Sequence, residues 1–208
     1  MCDRVVAVSE GYARELRRGS VPNLATRVRA RGTHVLGIRN GIDTTHWDPA
    51  QNPHLPVAFD HNDLSGKEIC RKELLRRTSL DDNDQPVIAI VGRLVEQKGI
   101  DLALDLAAFL ESLGARLVII GDGEVDLVAR AARTAGAQPD RVHFFGKYSD
   151  KTAAIVMAGA DLLLVPSRFE PCGLTQMQAM RCTCSMQPIG PFGRSTTMGD
   201  DGLPNGEV

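Results

Sequence analysis

Two basic side chains stand in a turn whose composition suits a phosphorylated ligand. Arg93 and Lys98 lie five residues apart after an apolar segment, and Gly92 and Gly99 flank them. Two cations held by such a glycine-bracketed loop can straddle a diphosphate and neutralise the charge that builds on it as it departs. A solvated basic turn is the alternative that these residues leave open.

A carboxylate occupies a second turn further along the chain. Glu170 lies in the segment Val165-Pro-Ser-Arg-Phe-Glu-Pro-Cys-Gly-Leu-Thr-Gln176, which follows an apolar run and leads into a helix predicted to begin at about Gly173. A helix N-terminus presents unpaired N–H groups and a positive dipole end, which favour an anionic or hydroxyl-rich ligand. A carboxylate there either holds sugar hydroxyls or stabilises developing positive charge. A surface ion pair in a solvated loop is the competing interpretation.

Two further turns carry weaker signals. Gly121 and Gly123 follow another apolar segment and allow a close approach of the backbone to a ligand. This Gly-x-Gly does not meet the dinucleotide-binding fingerprint. Tyr148 offers a ring face suited to stacking, and an exposed loop tyrosine is the alternative.

The pattern of elements predicts that these turns meet at one edge of a sheet. Continuous apolar segments alternate with helical ones, which is typical of a parallel sheet covered on both faces. Right-handed crossovers then place the βα turns along one edge, where doubly wound folds bind ligands. The predicted strands are Pro86–Val91, Ala115–Ile120, Arg141–Phe145 and Asp161–Val165, and the predicted helices are Ile100–Leu113, Glu124–Ala135, Lys151–Met157, one that begins near Ser65 and one that ends near Arg181.

The flanking segments are less regular. A strand at Arg4–Val8, a helix capped by Ser9 and ending at Gly19, a helix at about Asn23–Arg31 and a strand at Thr33–Ile38 are predicted before residue 39. Residues 39–64 are rich in proline and read as an ordered loop in which Trp47 is a packing residue. Residues 182–208 hold five Gly and three Pro but only four of Leu, Ile, Val or Phe, so we expect an irregular segment.

The amino-acid composition argues against several classes of binding partner. The chain has 208 residues, a net charge of −2 and 4% aromatic residues, which predicts neither nucleic-acid binding nor attraction to anionic membranes. No segment predicts a signal peptide or a membrane span. The five cysteines suit a reducing compartment, and Cys172, Cys182 and Cys184 lack a fourth ligand at zinc spacing, so no metal site is expected.

Several motifs in the same order resemble those of the bacterial and plant-type glycogen (starch) synthases, which are retaining glucosyltransferases of GT-B architecture. The motifs are Asn40-Gly-Ile-Asp43, Trp47-Asp-Pro49, Gly92-Arg-Leu-Val-Glu-Gln-Lys-Gly99, Phe145-Gly-Lys-Tyr148 and the Glu170 segment, and together they span about residues 3 to 181. The resemblance implies that residues 1–38 end an acceptor-side domain, 39–64 link the domains and 65–181 form a truncated, Rossmann-like donor-binding domain. Residues 182–208 depart from the family, and we hypothesise that they are a tail read in a shifted frame or spliced differently.

The resemblance also implies roles for individual residues. Arg93 and Lys98 would bind the diphosphate of ADP-glucose, and Glu170 would act at the sugar. Cys172 would lie beside the donor sugar, although a structural role as a small apolar side chain is as consistent with the residue. Further substrate-binding positions are Gly92, Gly121 and Gly123 at the nucleotide, Tyr148 near the adenine, and the N–H groups of Gly173, Leu174 and Thr175.

The expected activity of the family is transfer of glucose from ADP-glucose to the non-reducing end of an α-1,4-glucan with retention, without a cofactor. We expect this chain to be weak or inactive alone, in the cytoplasm or, for a plant or alga, the plastid stroma. The alternatives are a non-catalytic nucleotide-binding remnant or gene-model fragment, and a related transferase with another acceptor. Against the latter stands Gln178, where many sucrose-type and lipid-glycan relatives have a second Glu.

Overall fold

The computed structural model describes residues 4–19, 26, 34–182 and 185–188. At the N-terminal side, strands β1 (Arg4–Ala7) and β2 (His34–Gly37) pair in parallel, and helix α1 (Glu10–Arg18) packs on one face of them. The predicted helix boundaries are confirmed, because the Ser9 side chain accepts a hydrogen bond from the Tyr12 N–H and Gly19 ends the helix in the left-handed conformation. The helix predicted at about residues 23–31 falls on residues that, apart from 26, are outside the described part.

The segment from 39 to 64 packs onto the main body of the protein. Trp47 is 6% exposed and belongs to the same apolar cluster as Leu74 and Leu163, so its packing role is confirmed. The Cys182 thiol lies 3.5 Å from the Trp47 carbonyl oxygen, and Arg181 forms an ion pair with Asp48. The segment is therefore joined both to the core and to the last described helix.

The main sheet has five parallel strands. They are β3 (Val87–Val91), β4 (Arg116–Ile120), β5 (Val142–Phe145), β6 (Leu162–Val165) and β7 (Ser185–Pro188), in the spatial order β5-β4-β3-β6-β7. The predicted doubly wound parallel sheet is confirmed. The chain lays β4 and β5 on one side of β3 and then returns to place β6 and β7 on the other, so the direction of winding reverses between β3 and β6.

Helices cover both faces of this sheet. One face is buried under α2 (Ser65–Thr78) and α5 (Asp150–Gly159), with Leu74 and Met157 among the fully buried side chains. The other is buried under α3 (Ile100–Leu106) and α4 (Val125–Ala137), through Ile100 and Ala131 among others. Helix α6 (Leu174–Arg181) follows β6. None of the helices in the described ranges combines the length and the hydrophobicity of a membrane span.

Two predicted features differ from the structure. The helix expected at Ile100–Leu113 ends at Leu106 and continues as a 3-10 helix over Ala107–Phe109, because the chain must reverse so that the Ala115 N–H reaches the Leu110 carbonyl and leads into β4.

The expectation of an irregular segment at 182–208 is wrong for Ser185–Pro188. These residues pair in parallel with β6, because α6 returns the chain to the open edge of that strand, and edge pairing depends on backbone groups rather than on an apolar pattern. A proline is tolerated there because β7 is the outermost strand of the sheet.

Candidate active site

A small open cleft lies at the carboxyl ends of β3 and β6, where the winding of the sheet reverses. Open parallel sheets bind their ligands at this position, because the loops on either side of it diverge to opposite faces. Five predicted site residues line the cleft, together with apolar residues at the strand ends and Ser167; the five are Gly92, Arg93, Lys98, Glu170 and Thr175.

Lys98 and Glu170 form an ion pair inside this cleft. The Lys98 ammonium lies 2.6 Å from Oε2 of Glu170, and each side chain is 23% exposed. The Ser167 hydroxyl donates to the same oxygen at 3.2 Å, and the Gly173 N–H donates to Oε1 at 3.3 Å. Three donors from two loops therefore fix the carboxylate. Its negative charge is balanced by the positive charge of Lys98.

Arg93 lies at the rim of the same cleft with its side chain exposed. In the part of the chain that the structure describes, its guanidinium has neither an ion pair nor a hydrogen bond within the protein. A Cβ added at the neighbouring Gly92 would meet nothing within 4 Å, so the backbone faces open space. The turn thus offers an available cation and room for a ligand to approach it.

Arg168 braces the loop of Glu170 against the loop of Lys98. Its guanidinium donates two hydrogen bonds of 2.6 Å to the Asp101 carboxylate and a third, of 2.9 Å, to the Glu96 carbonyl. The backbone N–H of Arg168 also donates to the Gln97 carbonyl at 2.9 Å. These hydrogen bonds from Arg168 hold the pKa of the Asp101 carboxyl below its usual range. These hydrogen bonds join the two loops at several points.

Gly99 is required at the point where these loops touch. Its φ is 64°, in the left-handed region, and a Cβ there would lie 2.0 Å from the Pro166 carbonyl oxygen. The 3-10 helix Glu96–Lys98 ends at this glycine, so the contact sets the direction in which Lys98 leaves the backbone. A larger residue would push the two loops apart.

The glycines of the third turn make room for the backbone of the neighbouring turn. Gly121 has a φ of 156°, and its Cβ would lie 1.8 Å from the Gly92 carbonyl oxygen. At Gly123 the corresponding atom would lie 2.2 Å from the Leu94 carbonyl oxygen. The predicted close approach is present, but the approaching backbone is that of the neighbouring turn. A contact of either glycine with a ligand stays a prediction.

Besides Gly121 and Gly123, four predicted residues lie outside the cleft lining. Tyr148 follows β5, two strands away from β3, and is 48% exposed; burial of part of its surface, followed by the nearby Asp150, raises its pKa. Cys172 is a half-buried free thiol. Gly173 caps α6 at a φ of 74° and directs its N–H to Glu170 rather than to open space. Leu174 is exposed at the start of α6.

Sequence reasoning missed the residues that hold this site together. Ser167 lies three residues before Glu170, so the spacing within the turn could have predicted its hydrogen bond to the carboxylate. The role of Asp101 could not be predicted in this way, because its partner Arg168 is 67 residues away and the contact forms only when the two loops meet. Within the described ranges, no cluster of three or more His, Cys, Asp or Glu residues has the arrangement of a metal site.

Comparisons with known proteins identify the family of the chain. The family model of glycosyl transferases group 1 matches residues 71–186. The glycogen synthase of Granulibacter bethesdensis is 41% identical over 180 residues, and that of Anaeromyxobacter sp. Fw109-5 is 43% identical over 182 residues. Each match covers 86% of this chain but only 38% of the relative, so the chain spans less than half the length of these proteins.

A solved structure extends the comparison to the fold. The catalytic domain of starch synthase IV from Arabidopsis thaliana, bound to ADP and acarbose, superposes with a TM-score of 0.83 at 30% identity, covering 97% of this chain and 44% of that one. Sucrose-phosphate synthase from Thermosynechococcus elongatus has a TM-score of 0.64 at 21% identity, which shows the fold alone. The resemblance to glycogen and starch synthases is therefore confirmed, and the chain belongs to the group 1 glycosyl transferases.

Proposed function

We propose that this chain forms the donor-binding half of a glucosyltransferase of the glycogen or starch synthase type. The donor would be ADP-glucose, and the acceptor would be the non-reducing end of an α-1,4-glucan. The observation that carries the proposal is the placement of Arg93, Lys98 and Glu170 around one cleft at the switch point of the sheet. The likeness to glycogen synthases and to a starch synthase bound to ADP supports the choice of donor.

The two cations and the carboxylate would act on different parts of the donor. Arg93 and Lys98 would neutralise the negative charge that develops on the diphosphate as the bond to the sugar breaks. Glu170 would hold sugar hydroxyls or stabilise the positive charge that builds at the sugar carbon. Retention follows when the glucan hydroxyl attacks from the face that the diphosphate leaves, and this arrangement requires no protein nucleophile.

In the free chain Lys98 is already paired with Glu170, so a diphosphate must compete for the ammonium. Arg93 has no such competitor among the described residues and would make the first contact with the phosphates. Tyr148, on the β5 side of the edge, would pack near the adenine, as the family resemblance implies. A nucleotide diphosphate laid from β5 towards β6 would then follow the carboxyl edge of the sheet.

Nucleotide binding tests the proposal directly. Isothermal titration of the chain with ADP should give a measurable affinity, and Arg93→Gln or Lys98→Gln should each weaken it by about tenfold, because each removes a charge-assisted contact. Lys72→Gln is a matched control, since Lys72 is an exposed cation on α2. Binding that is insensitive to Arg93 and Lys98 would refute the assignment of the cleft.

Transfer itself requires the wall of the cleft that faces the glucan. We propose that a polypeptide with the full length of the relatives, including these residues, elongates glycogen with ADP-glucose, and that Glu170→Gln in it lowers the rate at least a hundredfold. Elongation by the 208-residue chain alone at a comparable rate would contradict the division into donor and acceptor sides.

A further inference from the structure

The N-terminal unit, formed by β1, α1 and β2, contacts Phe169 and Pro171, the two residues that flank Glu170. The Ser9 hydroxyl donates a hydrogen bond of 2.5 Å to the Pro171 carbonyl oxygen, across 162 residues of chain. The Tyr12 ring packs edge-on against the Phe169 ring, with 5.6 Å between the ring centroids. Both contacts come from the N-terminal end of α1, one from its cap residue Ser9 and one from its first turn.

Ser9 joins the helix and the loop through a single atom. Its oxygen accepts the Tyr12 N–H at 3.0 Å and thereby caps α1, while its proton goes to Pro171. A hydroxyl has one proton to donate, so the donor is fully committed to the loop. Any displacement of α1 relative to the sheet must therefore either break this hydrogen bond or move Pro171.

Glu170 is held from two directions as a result. On the sheet side, Arg168 and Gln97 tie the loop to the turn of Lys98, with the Gln97 side-chain amide donating to the Phe169 carbonyl at 3.0 Å. On the other side, α1 holds Phe169 and Pro171. The carboxylate thus sits in a short span of backbone with an anchor on each side.

We infer that Ser9, assisted by Tyr12, is a positioning residue for Glu170, so that the placement of the N-terminal unit sets how the carboxylate meets the sugar of the donor. This inference rests on the proposed function. It assigns to α1 a part in recognising the glucosyl group, although α1 does not line the cleft.

The inference can be measured because the diphosphate and the sugar of the donor would contact different residues of the cleft. The diphosphate would contact Arg93 and Lys98, and in the described structure no hydrogen bond or ring contact joins Ser9 or Tyr12 to their turn. The sugar would contact Glu170. Loss of the Ser9 contact should therefore weaken binding of the nucleotide sugar while leaving the nucleotide diphosphate almost unaffected, whereas a general loss of structure would weaken both.

The chain offers closely matched variants. Ser9→Gly removes the hydroxyl at a cap position where glycine is well tolerated and adds no charge, and Ser9→Thr keeps both the acceptor and the donor. Tyr12→Leu removes the ring contact independently. Arg17→Met is the control, because it removes a hydrogen bond of 2.8 Å from α1 to the Val35 carbonyl within the same unit and away from the loop.

Isothermal titration with ADP and with ADP-glucose, and hydrogen exchange of the amides of residues 168–175, provide the readouts. We expect Ser9→Gly to weaken ADP-glucose binding about fivefold, as for loss of one hydrogen bond, with ADP binding changed less than about twofold. Exchange in 168–175 should accelerate by a similar factor. Tyr12→Leu should act in the same direction, and Ser9→Thr and Arg17→Met should match the unsubstituted chain.

Two results would overturn the inference. One is an equal loss of affinity for ADP and ADP-glucose in Ser9→Gly; the other is no change in either affinity. If the unsubstituted chain binds neither ligand, the proposed function fails instead, and unchanged exchange of 168–175 in Ser9→Gly would then reject the anchoring role of Ser9 independently.

Discussion

Lys98 and Glu170 are 72 residues apart in the chain, yet the ammonium and the carboxylate lie 2.6 Å from each other between the loops that follow β3 and β6. The two charges cancel each other in a cleft that we propose receives a diphosphate beside a sugar. A change in this ion pair should therefore affect both the affinity for a ligand and the stability of the two loops that carry it.

Removal of the carboxylate should increase the affinity for the diphosphate. In Glu170→Gln the ammonium of Lys98 no longer has a competing anion, so ADP should bind about three- to tenfold more tightly, a modest factor because the pair is partly exposed to solvent. Titration calorimetry measures the change. Glu111→Gln, a substitution of an 85% exposed carboxylate, should leave the affinity unaltered. Weaker ADP binding in Glu170→Gln would show that the carboxylate does not compete for Lys98.

A methyl group at Gly99 should disrupt the junction of the two loops. Gly99→Ala combines a left-handed φ of 64° with a contact of 2.0 Å to the Pro166 carbonyl oxygen, so we expect a loss of at least about 3 kcal/mol in the free energy of unfolding. Gly114→Ala is the matched control, because Gly114 has a φ of 57° and nothing within 4 Å of the added atom. Its cost should be about 1 kcal/mol. Urea unfolding compares the two, and equal losses would rule out the close contact.

The brace between Arg168 and Asp101 predicts a dependence on pH. The folded-state pKa of Asp101 lies below its ordinary value of 3.8, so its contribution to stability is present above pH 3.8 and is lost as the pH falls through the lower folded-state value. Arg168→Met should therefore lower the melting temperature at pH 7, and the difference from the unsubstituted chain should shrink as Asp101 becomes protonated.

Thermal unfolding between pH 7 and pH 3 measures this difference. Arg130→Met serves as the comparison, because its partner Asp105 is 67% exposed and an exposed pair adds little stability. A difference for Arg168→Met that persists unchanged at pH 3 would argue against the ion pair as its cause.

Trp47 reports whether the segment from 39 to 64 unfolds with the sheet. It is the sole tryptophan of the chain and is buried in the core cluster that also contains Leu74 and Val118. We expect the urea transition followed by tryptophan fluorescence to coincide with that followed by far-ultraviolet circular dichroism. An earlier fluorescence transition would mean that the segment detaches before the sheet unfolds.

The sequence alone determined the local elements and their common edge. The cap at Ser9, the left-handed glycine at Gly19 and the apolar strands each depend on a few neighbouring residues, so composition and spacing were sufficient to predict them. Once the sheet was predicted to be parallel, the right-handed crossovers placed Arg93, Lys98 and Glu170 at one edge. The strand at Ser185–Pro188 escaped prediction because it forms on an edge that β6 supplies.

Only the tertiary structure decided which side chains meet. The ion pair of Lys98 with Glu170, the brace of Arg168 on Asp101 and the hydrogen bond from Ser9 to Pro171 join residues 72, 67 and 162 positions apart. Such contacts depend on how loops from separate strands approach each other, and the same approach explains why Gly121 makes room for a neighbouring carbonyl. Local sequence patterns do not predict these contacts, because the contacts form only when the helical connections pack on the sheet and bring the loops together.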